Sequence, residues 1–290
     1  MTIIYFLSPT GIDITKKCLE HYLQHLKVSS SVFSLTTNYS EQINKEYLKL
    51  ILPDDVTNPD FYAGLRHRAD HHHFDFFRKP TDLPGQGIIA FDMDSTFVEE
   101  EGVDEIARRL GISEKITALT REAMEGKIDF DTSFTRRIGM LKGTHKDILH
   151  QVCEQMTLSP GLKTILPIFK EKGFKTAIIS GGLDIFTERL KEKYQLDYAF
   201  SNSVRIQEDR LTDKITFPIM NAEKKKQTLI NLATELSICR ENIIACGDGA
   251  NDIPMLLHAG NAWHGKQNLK PGKKLLTRLI LMVSSRFSSL

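Results

Sequence analysis

Two acidic side chains, Asp92 and Asp94, directly follow a short apolar run over residues 88–91, and together they could hold a hard divalent cation. The glycines before the run and its β-branched pair favour a strand buried on both faces of a parallel sheet over a piece of buried helix. Carboxylates two residues apart leave a strand on the same side and repel each other unless a cation or a shared proton compensates. Mg²⁺ with oxygen ligands is such a cation. A solvated Asp-x-Asp turn is the alternative, and the motif alone does not exclude it.

Two further groups are suited to phosphate. Ser180, Gly181 and Gly182 form a turn between a predicted strand and a predicted helix, where a hydroxyl and free backbone N–H groups suit an anion. A lysine of the run at 224–226 could bring a compact positive charge to a phosphoryl oxygen. Taken singly, the first group could be an ordinary turn and the second a solvated helix face.

The segment GDGAND at residues 247–252 offers two more carboxylates and an amide, Asp248, Asp252 and Asn251, after another predicted buried strand. Alone it could be a loop. Ligands of open α/β sheets bind outside the carboxyl ends of the strands, so all these groups are expected at one edge. Carboxylates for Mg²⁺, donors for phosphate and one positive charge are what phosphoryl transfer requires. Their joint occurrence predicts that chemistry.

The composition is that of a globular protein with a sizeable core, since 41% of the 290 residues are hydrophobic and 26% are charged. A net charge of +1 gives no reason to expect nucleic acid or an acidic membrane as a partner. No segment reaches the roughly 20 apolar residues of a membrane span, and the first residues lack the pattern of a signal peptide. Four scattered cysteines without a C-x-x-C favour reduced thiols and a cytoplasmic location.

Changes of pattern divide the chain into three predicted domains. Residues 1–80 predict a small α+β N-terminal module, residues 81–98 and 159–290 an alternation of strands and helices, and residues 99–158 a set of amphipathic helices. The predicted fold class is therefore α/β, a doubly wound parallel sheet with a helical cap inserted after the first core strand. Strands are predicted at 3–7, 32–35, 47–52, 88–91, 175–179, 198–200 and 243–246, a hairpin at 204–217, a linker at 78–87, and helices at 12–26, 102–110, 112–123, 130–141, 148–156, 162–172, 183–194, 224–236 and 252–259.

A histidine cluster lies in the N-terminal module. His71 is four residues from His67, a spacing that suits a metal on a helix, and His72 and His73 follow. Three adjacent histidines cannot all face one ion on a regular element, and no cysteine accompanies them in the sequence. The cluster therefore favours a solvated helix or loop.

Several longer motifs resemble those of the haloacid dehalogenase-like phosphotransferases, and more closely those of the phosphoserine phosphatases among them. They are FDMDSTFVEEEGVDEIA, REAMEGKIDF, SFTRRIGMLKG, SGG and GDGANDIPML. The resemblance covers residues 87–262. It implies the doubly wound core, an inserted cap and a Mg²⁺-dependent phosphatase activity.

The resemblance also implies the roles of individual residues. Asp92 would be the nucleophile that forms an aspartyl-phosphate, and Asp94 the general acid to the leaving serine oxygen and then the general base for water. Ser180 and the Gly181 and Gly182 backbone would hold the phosphoryl oxygens.

The resemblance implies roles for the lysine and for the metal ligands as well. Lys225 takes the family's lysine position when NAEKKKQTL is superposed on its pattern, and it would offset charge on Asp92 and on the phosphate. Mg²⁺ would be bound by Asp92, Asp248 and the backbone carbonyl of Asp94. The supporting residues would be Asn251 and Asp252.

Four residues of the predicted cap carry the choice of substrate in this resemblance. Glu101 stands where the family uses a carboxylate for the ammonium group, and Arg137 where it uses a bidentate arginine for the carboxylate. Met124 and Phe130 would form an apolar lid that excludes water. By spacing alone, Glu101 and Arg137 would be ordinary surface charges.

Three segments depart from the family. Residues 265–290 fit it poorly, the hairpin at 204–217 lacks the usual glycines, and residues 1–80 match only vaguely the amino-acid-binding regulatory modules that some members carry. On position alone, the N-terminal module is a candidate for amino-acid binding or for a homodimer contact.

The resemblance implies hydrolysis of a small-molecule substrate, O-phospho-L-serine, as the last step of serine synthesis. The net charge and the lack of a long apolar run already predict no nucleic-acid or membrane partner. A phosphotransferase to another alcohol, such as homoserine, shares every motif and stays open. A non-catalytic amino-acid-binding regulatory protein is the alternative of another class. Its mark would be the loss of Asp92 or Asp94, and both are present.

Overall fold

The computed structural model describes residues 1–8, 11–40, 45–78 and 86–264. These residues fall into two compact units, one within 1–78 and the other within 86–264. Most of the predicted linker and the atypical tail at 265–290 lie outside the described residues. Within the described residues, no helix combines the length and the apolar composition that a membrane span needs.

The first unit is a four-stranded antiparallel sheet with two helices, in the strand order β2-β3-β1-β4. Alternate side chains of the sheet, such as Ile4 and Phe6, pack with apolar residues of both helices in one core. The predicted strands at 3–7 and 47–52 and the helix at 12–26 are confirmed, and β2 begins later than predicted. The elements are β1 Thr2–Leu7, α1 Ile12–His25, β2 Ser34–Ser40, β3 Lys45–Leu52, α2 Pro59–His72 and β4 Asp75–Arg78.

The second unit contains a five-stranded parallel sheet with the strand order β11-β10-β5-β6-β7. The predicted α/β class and its doubly wound parallel sheet are confirmed. Strand β5 lies at the centre, and all five of its residues are buried, as its unbroken apolar run predicts. The strands are β5 Gly87–Phe91, β6 Phe174–Leu183, β7 Tyr198–Asn202, β10 Ile243–Gly247 and β11 Asn261–His264, and the helices between and beside them are α7 Leu162–Glu171, α8 Asp184–Tyr194, α9 Ala222–Glu235 and α10 Ile253–His258.

Four helices are inserted between β5 and α7, and we call them the cap. They are amphipathic, and the stripes that predicted them are buried, for example Ile106 in α3, Ile116 in α4 and Phe134 in α5. The chain enters and leaves the cap through two paired segments, where the amide of Glu99 donates to the carbonyl of Thr157 at 2.9 Å. The helices are α3 Gly102–Arg109, α4 Ser113–Met124, α5 Phe130–Met140 and α6 Lys146–Gln155.

The predicted hairpin is also confirmed, with strands β8 Val204–Gln207 and β9 Arg210–Ile215. Its turn places Glu208 and Asp209 at φ 50 and 59, the left-handed region in which glycine is more usual. The hairpin pairs with the cap, because the amide of Gly143 donates to the Leu211 carbonyl at 2.8 Å and the amide of Leu211 to the Thr144 carbonyl at 2.9 Å. The cap is thus tied to the core on this side.

Candidate active site

A buried lysine binds two carboxylates at the carboxyl edge of the parallel sheet. Lys225 Nζ donates to Asp92 Oδ1 at 2.6 Å and to Asp252 Oδ1 at 2.7 Å. Lys225 lies in the first turn of α9. The N-cap residue of this helix is Asn221, whose side-chain oxygen accepts from the amide of Lys224. Of the three lysines in the run, Lys225 alone is fully buried, at 0% exposure, whereas its neighbours are half-buried.

Burial and charge oppose each other in this cluster. Burial raises the pKa of Asp92 to about 7, against the opposing charge of Lys225. Burial alone would lower the pKa of Lys225, but the charges of Asp92 and Asp252 outweigh it, and this pKa lies above its usual value. Lys225 is therefore a permanent cation in the floor of the site.

Three carboxylates gather at this edge and could hold a divalent cation. One oxygen each from Asp92, Asp248 and Asp252 lie within 4.8 Å of one another. Burial and the charges of Asp92 and Asp252 raise the pKa of Asp248 to about 7, so the group is costly without a cation. Hard oxygen donors fit Mg²⁺ better than a transition metal. The residues present therefore fit a divalent metal.

Both carboxylate oxygens of Asp252 already accept hydrogen bonds from backbone or lysine donors. Its Oδ2 accepts from the amides of Asp248 and Gly249 at 3.1 and 3.0 Å, and its Oδ1 accepts from Lys225. A side chain on Gly247 would collide with it, since a Cβ there would lie 2.5 Å from Asp252 Cγ. Asp252 is thus built into the loop, and Asp92 and Asp248 are left as the carboxylates with free coordination capacity.

Asp94 lies in an irregular turn, Met93–Phe97, directly after β5. The turn reverses at Ser95, which has φ 53, so that the amide of Gly102 donates to Asp94 Oδ1 at 2.7 Å. Burial, together with the charges of Glu101 and Asp92, raises the pKa of Asp94 well above its usual range. A carboxyl group held protonated in this way can donate a proton.

The predicted turn at Ser180, Gly181 and Gly182 is not a separate turn, because β6 continues through these residues to Leu183. The pairing of β6 with β7 shifts register here, and we call this irregular end of the strand the phosphoryl turn. Ser180 is buried, and its Oγ accepts from the amide of Gly182 at 2.9 Å. Asn202 supports the turn from the neighbouring strand, since its Nδ2 donates to the Gly181 carbonyl at 2.8 Å and its Oδ1 accepts from the amide of Met220 at 2.7 Å. Sequence analysis did not identify Asn202, although its position at the end of a strand was a signal.

A cavity of about 650 Å³ opens above these groups, between the cap and the edge of the sheet. Three predicted residues, Ser180, Lys225 and Asp252, are buried and do not line it. The predicted residues that do line it are Asp92, Asp94, Glu101, Met124, Phe130, Arg137, Gly181, Gly182, Asp248 and Asn251. Sequence analysis missed several others, among them Val103, Asp104, Thr120, Ser133, Phe134 and Ile253.

The four predicted cap residues face this cavity in different ways. Glu101 Oε1 accepts from Ser95 Oγ at 2.7 Å. Arg137 Nε is buried and has no hydrogen-bond partner among the described residues. The ring of Phe130 lies against Gly181, whereas Met124 is 72% exposed at the mouth. An acidic, a basic and an apolar group thus surround one volume.

A bifurcated hydrogen bond joins the cap to the segment that begins the lysine helix. Asn221 Nδ2 donates to both carboxylate oxygens of Asp131, at 3.1 and 3.3 Å. Asp131 lies in the first turn of α5, next to Phe130, and Asn221 is the cap residue of α9. The start of the lysine helix therefore contacts the cap close to the mouth of the cavity.

Comparison with known proteins agrees with this geometry. Residues 87–260 match the haloacid dehalogenase-like hydrolase family. A phosphoserine phosphatase from Haemophilus influenzae is 39% identical over 97% of this chain and 88% of its own length. A phosphoserine phosphatase from Archaeoglobus fulgidus is 39% identical to this chain. The match covers 71% of this chain and 61% of the Archaeoglobus protein. A solved HAD family hydrolase from Salmonella enterica subsp. enterica serovar Typhi is 61% identical, with a TM-score of 0.83 over 89% of this chain and 87% of that one.

The family match covers more than half of the chain, and the Haemophilus relative is similar over nearly all of it. The cavity, the buried lysine and the three carboxylates lie within the matched residues. The chain therefore belongs to the haloacid dehalogenase-like hydrolase family.

Proposed function

We propose that this protein is a Mg²⁺-dependent phosphatase that hydrolyses O-phospho-L-serine to L-serine and phosphate. The observation that carries the choice of substrate is the buried, unpartnered Nε of Arg137 in the cavity that Glu101 also lines. A buried guanidinium N–H without a hydrogen-bond partner favours an anionic ligand, although the carboxylates of Asp104, Asp94 and Glu101 already act on the charge of Arg137. The carboxylate and the ammonium of an amino acid complement these two side chains, and the names of both curated relatives support the same substrate.

The first half of the reaction transfers the phosphoryl group to the protein. A carboxylate oxygen of Asp92 attacks phosphorus, the bond from phosphorus to the serine oxygen breaks, and Asp94 gives that oxygen its proton. The raised pKa of Asp94 supports its role as the acid. Lys225 holds Asp92 in place and offsets the charge of the phosphoryl group from below.

The second half releases phosphate. Asp94, now ionised, takes a proton from a water molecule, whose oxygen attacks the phosphorus of the aspartyl-phosphate and restores Asp92. Ser180 and the Gly181–Gly182 backbone orient the phosphoryl oxygens in both halves. Asp92, Asp248 and the Asp94 carbonyl would hold Mg²⁺, which neutralises phosphoryl charge when bound. Asn251 and Asp252 support that site.

The proposal also gives each of the three predicted domains a role. Residues 81–98 and 159–290 would form the catalytic core, residues 99–158 would recognise the amino-acid part of the substrate, and residues 1–80 would bind an amino acid or form a homodimer contact. The reaction would complete serine synthesis in the cytoplasm.

Phosphate release from L-phosphoserine with Mg²⁺ tests the proposal. We expect kcat/KM roughly tenfold to a hundredfold higher for phosphoserine than for phosphoethanolamine, because the latter lacks the carboxylate that pairs with Arg137. Removal of the divalent cation with EDTA should abolish turnover of both, and added Mg²⁺ should restore it.

A variant at Arg137 tests recognition of the substrate carboxylate separately from the chemical step. Arg137→Met should remove the preference by slowing phosphoserine alone, with phosphoethanolamine turnover little changed. Turnover of an aryl phosphate but not of phosphoserine would refute the proposed substrate and keep the mechanism. Absence of any turnover by the folded protein would refute both.

Gly182 provides a second test, of the phosphoryl turn. A Cβ there would lie 3.1 Å from Ser180 Oγ and 3.2 Å from Asp94 Oδ2, so both groups would have to shift by a few tenths of an ångström. We expect Gly182→Ala to lower kcat/KM for phosphoserine by about tenfold. Gly139→Ala is the control, because a Cβ on that residue of α5 meets no atom within 4 Å. Equal kinetics for the two variants would contradict the proposed role of the turn.

A further inference from the structure

A groove of about 590 Å³ is lined by residues of the two helices of the N-terminal unit. Imidazole, thiol and cationic groups dominate it, and the described residues that line it include no carboxylate. The lining residues are Ile14, Lys17, Cys18, His21, His67, Arg68, His71 and His72.

Metal-ligating side chains stand at helical spacing on both walls of this groove. Cys18 and His21 are three residues apart on α1, and His67 and His71 are four residues apart on α2. Either spacing brings two side chains onto the same face of a helix. Facing pairs of this kind are how helical proteins build metal sites between their helices.

The contact between the two helices is well defined next to the groove. The rings of Tyr22 and Phe61 stack with centroids 5.6 Å apart, and the Tyr22 hydroxyl donates to the Phe61 carbonyl at 2.8 Å. Gly64 permits this approach, because a side chain there would collide with the Tyr22 hydroxyl. The fold therefore holds the two walls at a fixed separation.

We infer that this groove binds a divalent transition metal of the zinc class, with Cys18, His21, His67 and His71 as its ligands. Imidazole and thiolate ligands select Zn²⁺, Co²⁺ or Ni²⁺, and a wall without carboxylates disfavours Mg²⁺ and Ca²⁺. The groove and the carboxylate cluster of the catalytic unit would thus take different metals.

Two positive side chains, Lys17 and Arg68, line the same groove, and their charges would repel a bound cation unless they point away from it. The guanidinium of Arg68 lies over the Tyr22 ring, 4.0 Å from its centroid, and donates to the Gly64 carbonyl at 3.1 Å. It is therefore tied to the helix contact. Lys17 is exposed and can extend its charge into solvent.

The ligands must converge when the metal binds. No three ligand atoms of the groove lie within 4.8 Å of one another, because among the described residues only Asp92, Asp248 and Asp252 meet that criterion. His21, His67 and His71 are exposed, so rotation of their side chains meets little packing. Burial raises the pKa of the Cys18 thiol, and a bound metal would favour its thiolate.

Cobalt spectroscopy on the full chain, without a polyhistidine tag and with Mg²⁺ in large excess, tests the inference. A four-coordinate site of imidazoles and a thiolate absorbs visible light strongly and shows a thiolate-to-cobalt charge-transfer band, whereas a six-coordinate oxygen site absorbs weakly. We expect one equivalent of Co²⁺ to give the strong spectrum and Zn²⁺ to displace it.

Variants assign the ligands. Cys18→Ser should remove the charge-transfer band, and His67→Gln and His71→Gln should each weaken Co²⁺ binding by about tenfold or more. His73→Gln is the matched control, because His73 is exposed at the end of α2 and does not line the groove. All these changes lie outside the catalytic unit, so phosphate release should stay unchanged.

Three results would overturn the inference. The first is a weak spectrum that disappears in Asp248→Asn, which would assign the cobalt to the catalytic carboxylates. The second is equal affinity in the His67, His71 and His73 variants. The third is inorganic phosphate, rather than Co²⁺, shifting the imidazole NMR signals of the groove, which would make it an anion site.

Discussion

Asp92→Asn is expected to lower phosphate release from phosphoserine by about 10⁴-fold or more, because a neutral amide cannot form the aspartyl-phosphate. The variant should remain folded, since the amide oxygen can still accept the hydrogen bond from Lys225 that Asp92 Oδ1 accepts at 2.6 Å. Steady-state phosphate release measures the loss. Acid quenching of a single turnover with ³²P-labelled substrate should trap a phosphorylated protein from the parent chain and none from the variant.

Asp213→Asn is the control for this change of charge. Asp213 is exposed, and its carboxylate pairs with Lys142 at the surface, so turnover should match that of the parent chain. Substantial turnover and a trapped phosphoenzyme in Asp92→Asn would mean that another side chain is the nucleophile. The assignment of Asp92 would then be wrong.

Lys225→Met is expected to damage both activity and stability. The variant leaves Asp92 and Asp252 buried without their shared cation, which costs about 3–5 kcal/mol when one partner of a buried pair is removed. Turnover should fall by about 10²–10³-fold, because the positive charge beneath the phosphoryl group is lost. Urea unfolding measures the first effect, and phosphate release under conditions where the variant is folded measures the second.

Lys226→Met is the matched control from the same lysine run. Lys226 is partly exposed and pairs with Glu223 one turn away, so its loss should change the free energy of unfolding by less than about 1 kcal/mol and leave turnover intact. If Lys225→Met behaved like this control, Lys225 would neither stabilise the two buried carboxylates nor offset the phosphoryl charge, and both proposed roles would be wrong.

The catalytic unit could be predicted in detail because its local patterns and its packing agree. Strand β5 is a continuous apolar run with both faces buried, and α3 to α5 carry apolar stripes that the structure buries. The motifs at strand ends come together because parallel strands end at one edge. Their spatial grouping therefore follows from the topology alone.

Two elements of the N-terminal unit, α2 and β4, were not predicted. Among the residues of α2 whose burial the structure describes, Phe61, Leu65 and Ala69 are buried in a narrow line between polar and histidine residues, so the periodicity of the helix is weak. Strand β4 has four residues and follows the histidines without a glycine or proline to separate them. Such elements depend on the sheet and core that they join rather than on local preference.

Side chains that act through long-range contacts were beyond the sequence patterns. Asn202 supports the phosphoryl turn from another strand, and Asp252 was identified from the sequence without its contact to Lys225. Cys18 joins the histidines only because α1 and α2 pack side by side, although the sequence shows no cysteine near that cluster. Each of these contacts spans many residues of chain, which periodicity cannot detect.

The paired segments at which the chain enters and leaves the cap carry an evolutionary consequence. The amide of Glu99 donates to Thr157 and the amide of Ser159 to Phe97, both at 2.9 Å, so the two ends of the insertion are neighbours. Any segment whose ends lie about one strand spacing apart, near 4.8 Å, could be spliced between them without moving β5 or β6. If the cap selects the substrate as proposed, substrate choice can be exchanged by replacing this insertion, while Asp92 and Lys225 are inherited unchanged.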